Sequence, residues 1–306
     1  MTSPHTPPTG SPDPEPTPDP IRHEFIAAGS IDANIQNLRG TITVRAEHGT
    51  RVGVELIPRG EAGAQLATRM RVRFDAERLT VDAPADEAHR VGVGLGDLFS
   101  VRGRGGSLPF TDRLAESFRS AVRGVEGLLG GLEIRVVLPA GSRVVVSDGV
   151  GDLEITGSLA RLEARTGTGD LHVRNAAEES TRLTTGTGDV TLGEATGQVH
   201  ATTGTGDLRL DRLEGTATLS AGVGGVTVRE ARSGSLTARS GLGDVELRVA
   251  AGTAVHLDLA TGLGEQDVRL TPADGAGAAE RTLEVHARSG KGDLRVLRAG
   301  AAAAAS

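Results

Sequence analysis

The sequence predicts an all-β protein, a parallel β-solenoid or β-helix of 18–19-residue rungs with one inserted amphipathic helix. Three observations support this prediction. A glycine-rich motif recurs at a nearly constant interval, apolar and polar residues alternate between its copies, and one segment switches to a helical period. With 306 residues, the chain is long enough to bury a sizeable core.

The repeated motif is Gly-x-Gly-Asp. Copies or close variants end at Asp152, Asp170, Asp189, Asp207, Gly225 and Asp244, with spacings of 18, 19, 18, 18 and 19 residues, and looser copies end at Glu265 and Asp293. Glycine tolerates a positive φ and aspartate hydrogen-bonds to turn amides, so each copy predicts a tight turn. The residues assigned to these structural turns are Gly167, Gly169, Asp170, Gly186, Gly188, Asp189, Gly204, Gly206, Asp207, Gly241, Gly243 and Asp244.

The segments between the motifs predict two strands per repeat. Leu171 and Val173 alternate with polar residues after one turn, and Leu183 and Thr185 alternate in the same way after the next. A rung of two strands and two turns cannot bury its own apolar face, whereas rungs stacked about 4.8 Å apart share one interior. We expect roughly eight rungs between residues 133 and 296, in a stack on the order of 40 Å tall.

The chain divides into one predicted domain with two low-complexity ends. Residues 1–20 form a Pro-rich tail that is expected to be disordered, residues 21–298 a single β-solenoid domain, and residues 299–306 an Ala-rich tail. Strand-like alternation begins within residues 21–85, ahead of the regular repeat.

Residues 86–131 are predicted to be an insertion, a Gly- and Arg-rich loop followed by a helix. Between residues 110 and 129, apolar residues recur at helical spacing and form one face. This face either packs on the solenoid or docks on another protein, and peripheral membrane contact through the same helix is a further alternative. The candidate binding residues are Phe110, Leu114, Phe118 and Val125.

The composition excludes several functions. The chain has no Cys, Trp or Tyr, so it offers no disulfide, thiolate metal site or thiol nucleophile, and it lacks most of the aromatic platforms that bind bases or sugars. A net charge of -7 disfavours nucleic acid as a partner. The N-terminus has no apolar signal region and no apolar run is long enough to span a bilayer, so we expect a cytoplasmic protein without an integral membrane segment.

Stacked repeats would align the aspartates into a column, and a carboxylate column suggests calcium binding as an alternative. The calcium-binding nonapeptide repeat, however, has half this period, and Gly225 interrupts the column here. The structural role of the aspartates is therefore preferred, and no metal or cofactor is predicted.

Catalytic motifs are absent from the sequence. We find no GxSxG, HExxH or Walker motif, and the 19-residue spacings do not fit the hexads of left-handed acyltransferase helices. No catalytic residue is assigned, and the protein is predicted not to be an enzyme. An enzyme acting on polysaccharide is the alternative from another class.

The chain resembles the putative adhesin family of bacterial β-strand-repeat proteins, a domain of unknown function. The resemblance covers residues 21–298 and rests on the T-G-T-G-D-[LV] blocks at 166–171, 185–190 and 203–208, the Leu-Pro-Ala-Gly-Ser segment at 138–142 and the strand-rich opening at 29–57. It implies a β-solenoid architecture. We predict a non-enzymatic, adhesin-like scaffold that binds another protein through its repeat faces or its inserted helix. The alternative is a self-polymerising scaffold similar to bactofilins, whose exposed terminal rungs pair end to end.

Overall fold

The computed structural model describes residues 19–84, 131–270 and 281–299. In these ranges the chain forms one helix, α1 (Gly60–Arg69), and a long succession of strands. The first strands are β1 (Ile21–Ile26), β2 (Asp32–Arg39), β3 (Ile42–Glu47), β4 (Arg51–Pro58), β5 (Arg71–Asp75) and β6 (Arg78–Asp82). The repeat region contains β7 (Leu132–Pro139), β8 (Arg143–Val150), β9 (Leu153–Thr156), β10 (Arg161–Thr168), β11 (Leu171–Asn175), β12 (Ser180–Thr187), β13 (Val190–Ala195), β14 (Gln198–Thr205), β15 (Leu208–Val223), β16 (Val226–Leu242), β17 (Val245–Val249), β18 (Thr253–Leu263), β19 (Gln266–Arg269), β20 (Arg281–Lys291) and β21 (Leu294–Arg298).

Two series of hydrogen-bonded strands form the broad sides of the solenoid. Face A is the outer surface of β5, β6, β2, β8, β10, β12, β14, residues 216–223, residues 234–242, β20 and β18, in spatial order. Face B is the outer surface of β1, β4, β7, β3, β9, β11, β13, residues 208–213, residues 226–231, β17, β21 and β19. Every pairing within the repeat region is parallel, and among its pairings with the earlier strands only that of β7 with β4 is antiparallel, which confirms the predicted β-solenoid.

Alternating burial explains why these segments are strands. In β12, Thr181, Leu183 and Thr185 point inward and are buried, while Arg182 points outward and is exposed. The neighbouring rungs repeat this pattern in register, so the inward residues of both faces merge into one apolar cluster. Burial of that shared cluster is the main stabilising contribution, because a single rung has no second layer against which to pack.

The last two rungs are stacked out of chain order. The rung β20–β21 lies between residues 234–249 and the rung β18–β19, because β20 pairs with both β16 and β18, and β21 pairs with both β17 and β19. The rungs expected between residues 133 and 296 end with residues 294–296 in sequence, but these residues do not end the stack. The terminal rung is β18–β19, and its outer edge has no strand partner in the described part of the chain.

The opposite end is also out of order, and it is closed. The rung β2–β3 is inserted between β6 and β8 on face A and between β7 and β9 on face B. Beyond it the strands β1, β4, β5 and β6 pair antiparallel, and the rings of Phe25 and Phe74 stack across the end with centroids 5.2 Å apart.

Helix α1 packs against β4 and β7 at this closed end. Its buried residues are Gly63, Leu66 and Ala67. The alternation within residues 21–85 predicts only strands, so this helix was missed, because a ten-residue helix with one large apolar side chain, Leu66, carries a weak periodic signal. The helix predicted between residues 110 and 129 lies outside the described residues.

Candidate functional site

The Gly-x-Gly-Asp motifs form one corner of the solenoid, where aspartates hydrogen-bond from rung to rung. The Asp170 carboxylate accepts the backbone N–H of Asp189 at 2.8 Å, and the Asp189 carboxylate accepts that of Asp207 at 2.8 Å. Equivalent bonds join Asp152 to Asp170, Asp207 to Gly225, Asp244 to Asp293 and Asp293 to Glu265. Each aspartate thus binds an amide of the next rung rather than of its own turn. We call this series the Asp ladder.

The two glycines of each motif meet different constraints. The second glycine has a positive φ, which is 142° at Gly206, and this conformation strains any residue with a Cβ. The first glycine lacks a positive φ, but a Cβ at Gly204 would lie 2.5 Å from the carbonyl oxygen of Gly186 in the adjacent rung. The second glycines are Gly169, Gly188, Gly206 and Gly243, and the first glycines are Gly167, Gly186, Gly204 and Gly241.

A second ladder runs inside the same corner and was not found from the sequence. The buried Thr185 hydroxyl donates to the carbonyl of Gly169 at 3.1 Å, and the Thr203 hydroxyl donates to that of Gly188 at 3.0 Å. Thr166, Ser240, Ser289 and Thr261 make the same bond to a glycine carbonyl of the neighbouring rung. This hydroxyl ladder satisfies carbonyls that face the interior, which would otherwise be costly to bury. The threonine that precedes the first glycine of each recurring T-G-T-G-D motif is the sequence signal that could have revealed this ladder.

Asp148 occupies the position of the ladder hydroxyl in its own rung. It lies opposite Thr166 on one side and Asn37 on the other, and its side chain is fully buried. Burial raises the pKa of Asp148 to about 7, against the opposing effect of the backbone amides of Gly149 and Val150. Neither carboxylate oxygen has a well-formed hydrogen bond within the described residues. A protonated carboxyl here would provide the donor that threonine provides elsewhere.

The Asp ladder leaves the calcium alternative without a clustered site. Its carboxylates lie one per rung and each accepts a main-chain amide. Among the residues that the structure describes, no three His, Asp or Glu side chains are grouped to hold a metal ion.

The centre of face A carries unpaired arginines among hydroxyl groups. The outward residues that line a shallow depression of about 260 Å³ in this region are Arg161, Glu163, Ser180, Arg182, Gln198, His200, Thr216 and Thr218. Burial, with the neighbouring Arg182 charge, lowers the pKa of His200, so this imidazole is neutral near pH 7. Arg165 pairs with Glu163, whereas Arg161, Arg182 and Arg239 have no acidic partner in the described ranges.

Face B, in contrast, is dense in ion pairs. Arg229 contacts Asp211 at 3.3 Å, and Arg248 contacts Glu246 at 2.9 Å. A groove of about 620 Å³ near the closed end is lined by a similar network. In that groove, burial of Glu133 opposes the effect of Arg59 and Arg135, but their hydrogen bonds hold the pKa of Glu133 below its ordinary value. Many charges on face B are therefore neutralised by neighbours, although Arg45, Arg174 and Arg209 have no ion pair within the described ranges.

The candidate binding residues of the inserted helix, Phe110, Leu114, Phe118 and Val125, lie outside the described residues. The described strands β6 and β7 flank this insertion, so it leaves the solenoid at the corner of the Asp ladder, next to the closed end. The described part of the chain contains no helix of the length and apolar character that crossing a membrane requires.

These features define a β-solenoid of two-strand rungs whose corner is held by side-chain ladders. The chain matches the family described as Toastrack DUF4097 over residues 130–299 and belongs to that family. This membership confirms the resemblance to an adhesin-like domain of unknown function.

The chain is also similar to several solved structures. One is a putative adhesin from Bacteroides fragilis NCTC 9343, with 11% identity, a TM-score of 0.43 and coverage of 92% of this chain and 99% of that one. Another, from Parabacteroides merdae ATCC 43184, has 9% identity, a TM-score of 0.31 and coverage of 91% and 96%. A putative lipid binding protein from Parabacteroides distasonis ATCC 8503 has 8% identity, a TM-score of 0.30 and coverage of 90% and 96%. No curated protein matches the chain.

Proposed function

We propose that this solenoid is a non-enzymatic, adhesin-like interaction domain that binds an acidic segment of a partner protein on the centre of face A. The observation that carries the proposal is the pair of arginines there without an ion pair in the described part of the chain, Arg161 and Arg182, with Arg239 three rungs further along the face, in a chain whose net charge is -7. An excess of one charge on one face of an oppositely charged protein steers a complementary partner to that face.

The spacing of the face supports an extended peptide as the ligand. Outward side chains recur about every 6.8 Å along each strand and about every 4.8 Å from rung to rung. Between the arginines, the rungs present hydroxyls of Ser180, Thr184, Thr202 and Thr218, which donate and accept hydrogen bonds. The carboxylates and main-chain carbonyl groups of an extended peptide can therefore accept hydrogen bonds from a regular array of donors on face A.

The chemistry of face A favours protein over the other anionic partners. Nucleic-acid binders of this type stack bases on aromatic rings, and the outward residues of the central rungs include none. Membrane-surface binding needs apolar side chains that insert, and the centre of the face is polar.

A synthetic acidic peptide of about 20 residues, alternating Glu and Ser, tests the proposal. We expect it to bind the full chain in a calorimetric titration, with affinity that falls as salt screens the arginines. The variant Arg161→Glu/Arg182→Glu should lose this binding. The matched control Arg174→Glu/Arg209→Glu reverses the same number of charges on face B and should retain it.

Equal loss of binding in both double variants would overturn the proposal, because net charge rather than face A would then determine binding. So would preferential binding of anionic vesicles or single-stranded DNA over the peptide, since either result would assign the face to another class of partner.

A further inference from the structure

We propose that β18, the unpaired edge of the terminal rung, is a self-association site that joins two copies of this chain across a two-fold axis at Leu257. The inference is independent of the proposed function, because the edge lies at the end of the solenoid, away from the central arginines of face A.

The edge is long and open. β18 has 11 residues, pairs only with β20 among the residues that the structure describes, and contains no proline or bulge that would blunt it. An exposed edge strand of this kind is a template for pairing with another strand. The edge strands of the opposite end, β1 and β5, have only six and five residues, and the stacked rings of Phe25 and Phe74 join the two faces there.

The interior is also incomplete at this end. The inward residues Val255, Leu257 and Leu259 are only partly buried, whereas the corresponding Leu283 and Val285 of β20 are fully buried. Beside them, Leu263 and Val268 of the same rung are 68% and 46% exposed. This is the arrangement expected of a rung that lacks its neighbour.

The sequence of β18 identifies that neighbour as a second copy. Residues 253–261 read Thr-Ala-Val-His-Leu-Asp-Leu-Ala-Thr, which is a chemical palindrome about Leu257. Antiparallel pairing of two such strands places Thr opposite Thr, Ala opposite Ala and Val255 opposite Leu259. His256 of each copy then faces Asp258 of the other, whose carboxylate also contacts His286 and Arg288 of its own chain, so an imidazole meets a carboxylate at both positions.

The two-fold axis also explains why the assembly closes. Pairing of identical edges is isologous, and it uses the open end of each copy. The closed end offers no equivalent long edge, so we expect a dimer rather than the open-ended polymer of a bactofilin-like scaffold. Other occupants of the edge are less suited to it: residues 271–280 contain Pro272 and two glycines, and residues 300–306 are mostly alanine, compositions that disfavour strands.

Light scattering coupled to size exclusion, read by refractive index, measures the assembly directly. We expect the full chain to reach twice the 31.4 kDa monomer mass as its concentration rises, without growth beyond that mass. His256→Asp places like charges opposite each other twice, so it should weaken dimerisation by about tenfold. His200→Asp makes the same change on the same face, away from the edge, and should leave the dimer intact.

Cross-linking tests the position of the axis. Because the chain has no cysteine, Leu257→Cys introduces one thiol per copy, and antiparallel pairing centred there brings the two within disulfide reach. We expect an oxidant to yield a covalent dimer with this variant and none with Leu263→Cys, which lies on the same strand but away from the axis. Circular dichroism checks that each variant remains folded.

Three results would overturn the inference. The first is a monomer at every concentration, which would mean that residues of the same chain or another partner cover β18. The others are growth beyond the dimer and equal cross-linking of Leu257→Cys and Leu263→Cys. None of them bears on peptide binding to face A, so the two proposals fail separately.

Discussion

Asp148 lies directly opposite Thr166 across the parallel pair of β8 and β10, at the position where most other rungs carry a ladder hydroxyl. The Thr166 hydroxyl donates to the Gly151 carbonyl at 3.2 Å, whereas Asp148 has to be protonated before it can donate at all. A buried acid thus replaces a neutral hydroxyl in one rung of an otherwise uniform column, and this makes the stability of the solenoid sensitive to pH.

The first prediction concerns this sensitivity. Because burial raises the pKa of Asp148 from 3.8 to about 7, its folded form holds a proton that the unfolded chain has already lost. The free energy of unfolding is therefore highest below pH 4 and falls as the pH rises from 4 to 7. Above pH 7 it is lower by on the order of 4 kcal/mol. Asp148→Thr should remove this decline and be more stable than the original chain at pH 8.

Thermal unfolding at pH 5 and pH 8 measures the effect. Asp148→Asn serves as the isosteric control, since it also removes the titration while keeping the shape of the side chain. A variant with the same pH dependence as the original chain would show that Asp148 is not the responsible group.

The second prediction separates the two residue types of the turn. Gly206→Val forces a branched side chain into a positive φ and against the Gly188 carbonyl, so it should prevent folding or destabilise the chain by more than 3 kcal/mol, on the order of a strained, overpacked site. Asp207→Ala removes one exposed hydrogen bond, to the amide of Gly225, and should cost about 1 kcal/mol. Calorimetric melting of both variants checks the order, and equal small losses would contradict the turn geometry.

The third prediction is a repair of the Asp ladder. Gly225 interrupts it, but its φ is not positive and a Cβ there would meet only the Asp244 carbonyl oxygen, at 3.4 Å, and the Asp207 carboxylate, at 3.7 Å. Gly225→Asp should therefore fit and accept the amide of Asp244, raising stability by about 1 kcal/mol. Gly225→Ala is the control for the backbone effect, and a melting temperature no higher than that of the Ala variant would argue against the added bond.

The fourth prediction concerns the terminal rung. His286 of β20 contacts Asp258 of β18 at 3.1 Å and Glu284 at 3.1 Å, and these hydrogen bonds raise the pKa of His286. A raised histidine pKa stabilises the folded state below its unfolded value near 6.5, and this contribution is lost as pH rises through the folded value. We expect amide exchange of β18 to accelerate from pH 6 to pH 8, after correction for the intrinsic pH dependence of exchange, and His286→Gln to abolish that difference. If the original chain and His286→Gln showed the same pH dependence of amide exchange in β18, the contact between His286 and Asp258 would not be what stabilises this strand.

The rung architecture could be predicted from the sequence because it depends on local signals. Alternation in segments such as Leu171–Val173 and glycines at 18–19-residue intervals define strands, turns and a stack without reference to distant residues. The inner hydroxyl ladder was missed although its residues are conspicuous in the repeat. A threonine in a strand is common at half-buried positions, and the glycine carbonyl that accepts its hydrogen bond belongs to the neighbouring rung. The arginines of face A were visible only as scattered charges, since the residues of adjacent rungs decide which of them forms an ion pair.

The sequence by itself determined the repeat, the strand faces and the turn residues, because each follows from local conformational preference and a two-residue period. Only the tertiary structure decided the order of the rungs. The rung β20–β21 precedes β18–β19 in the stack because of which strand edges pair after the chain has folded back. Asp244 and Asp293, which are 49 residues apart, therefore lie in adjacent rungs, and no local sequence signal predicts this. At one end, that order buries Asp148 between Asn37 and Thr166. At the other end, it leaves the palindromic strand around Leu257 as the open edge. Both results follow because long-range pairing, not local propensity, selects the neighbours of a strand.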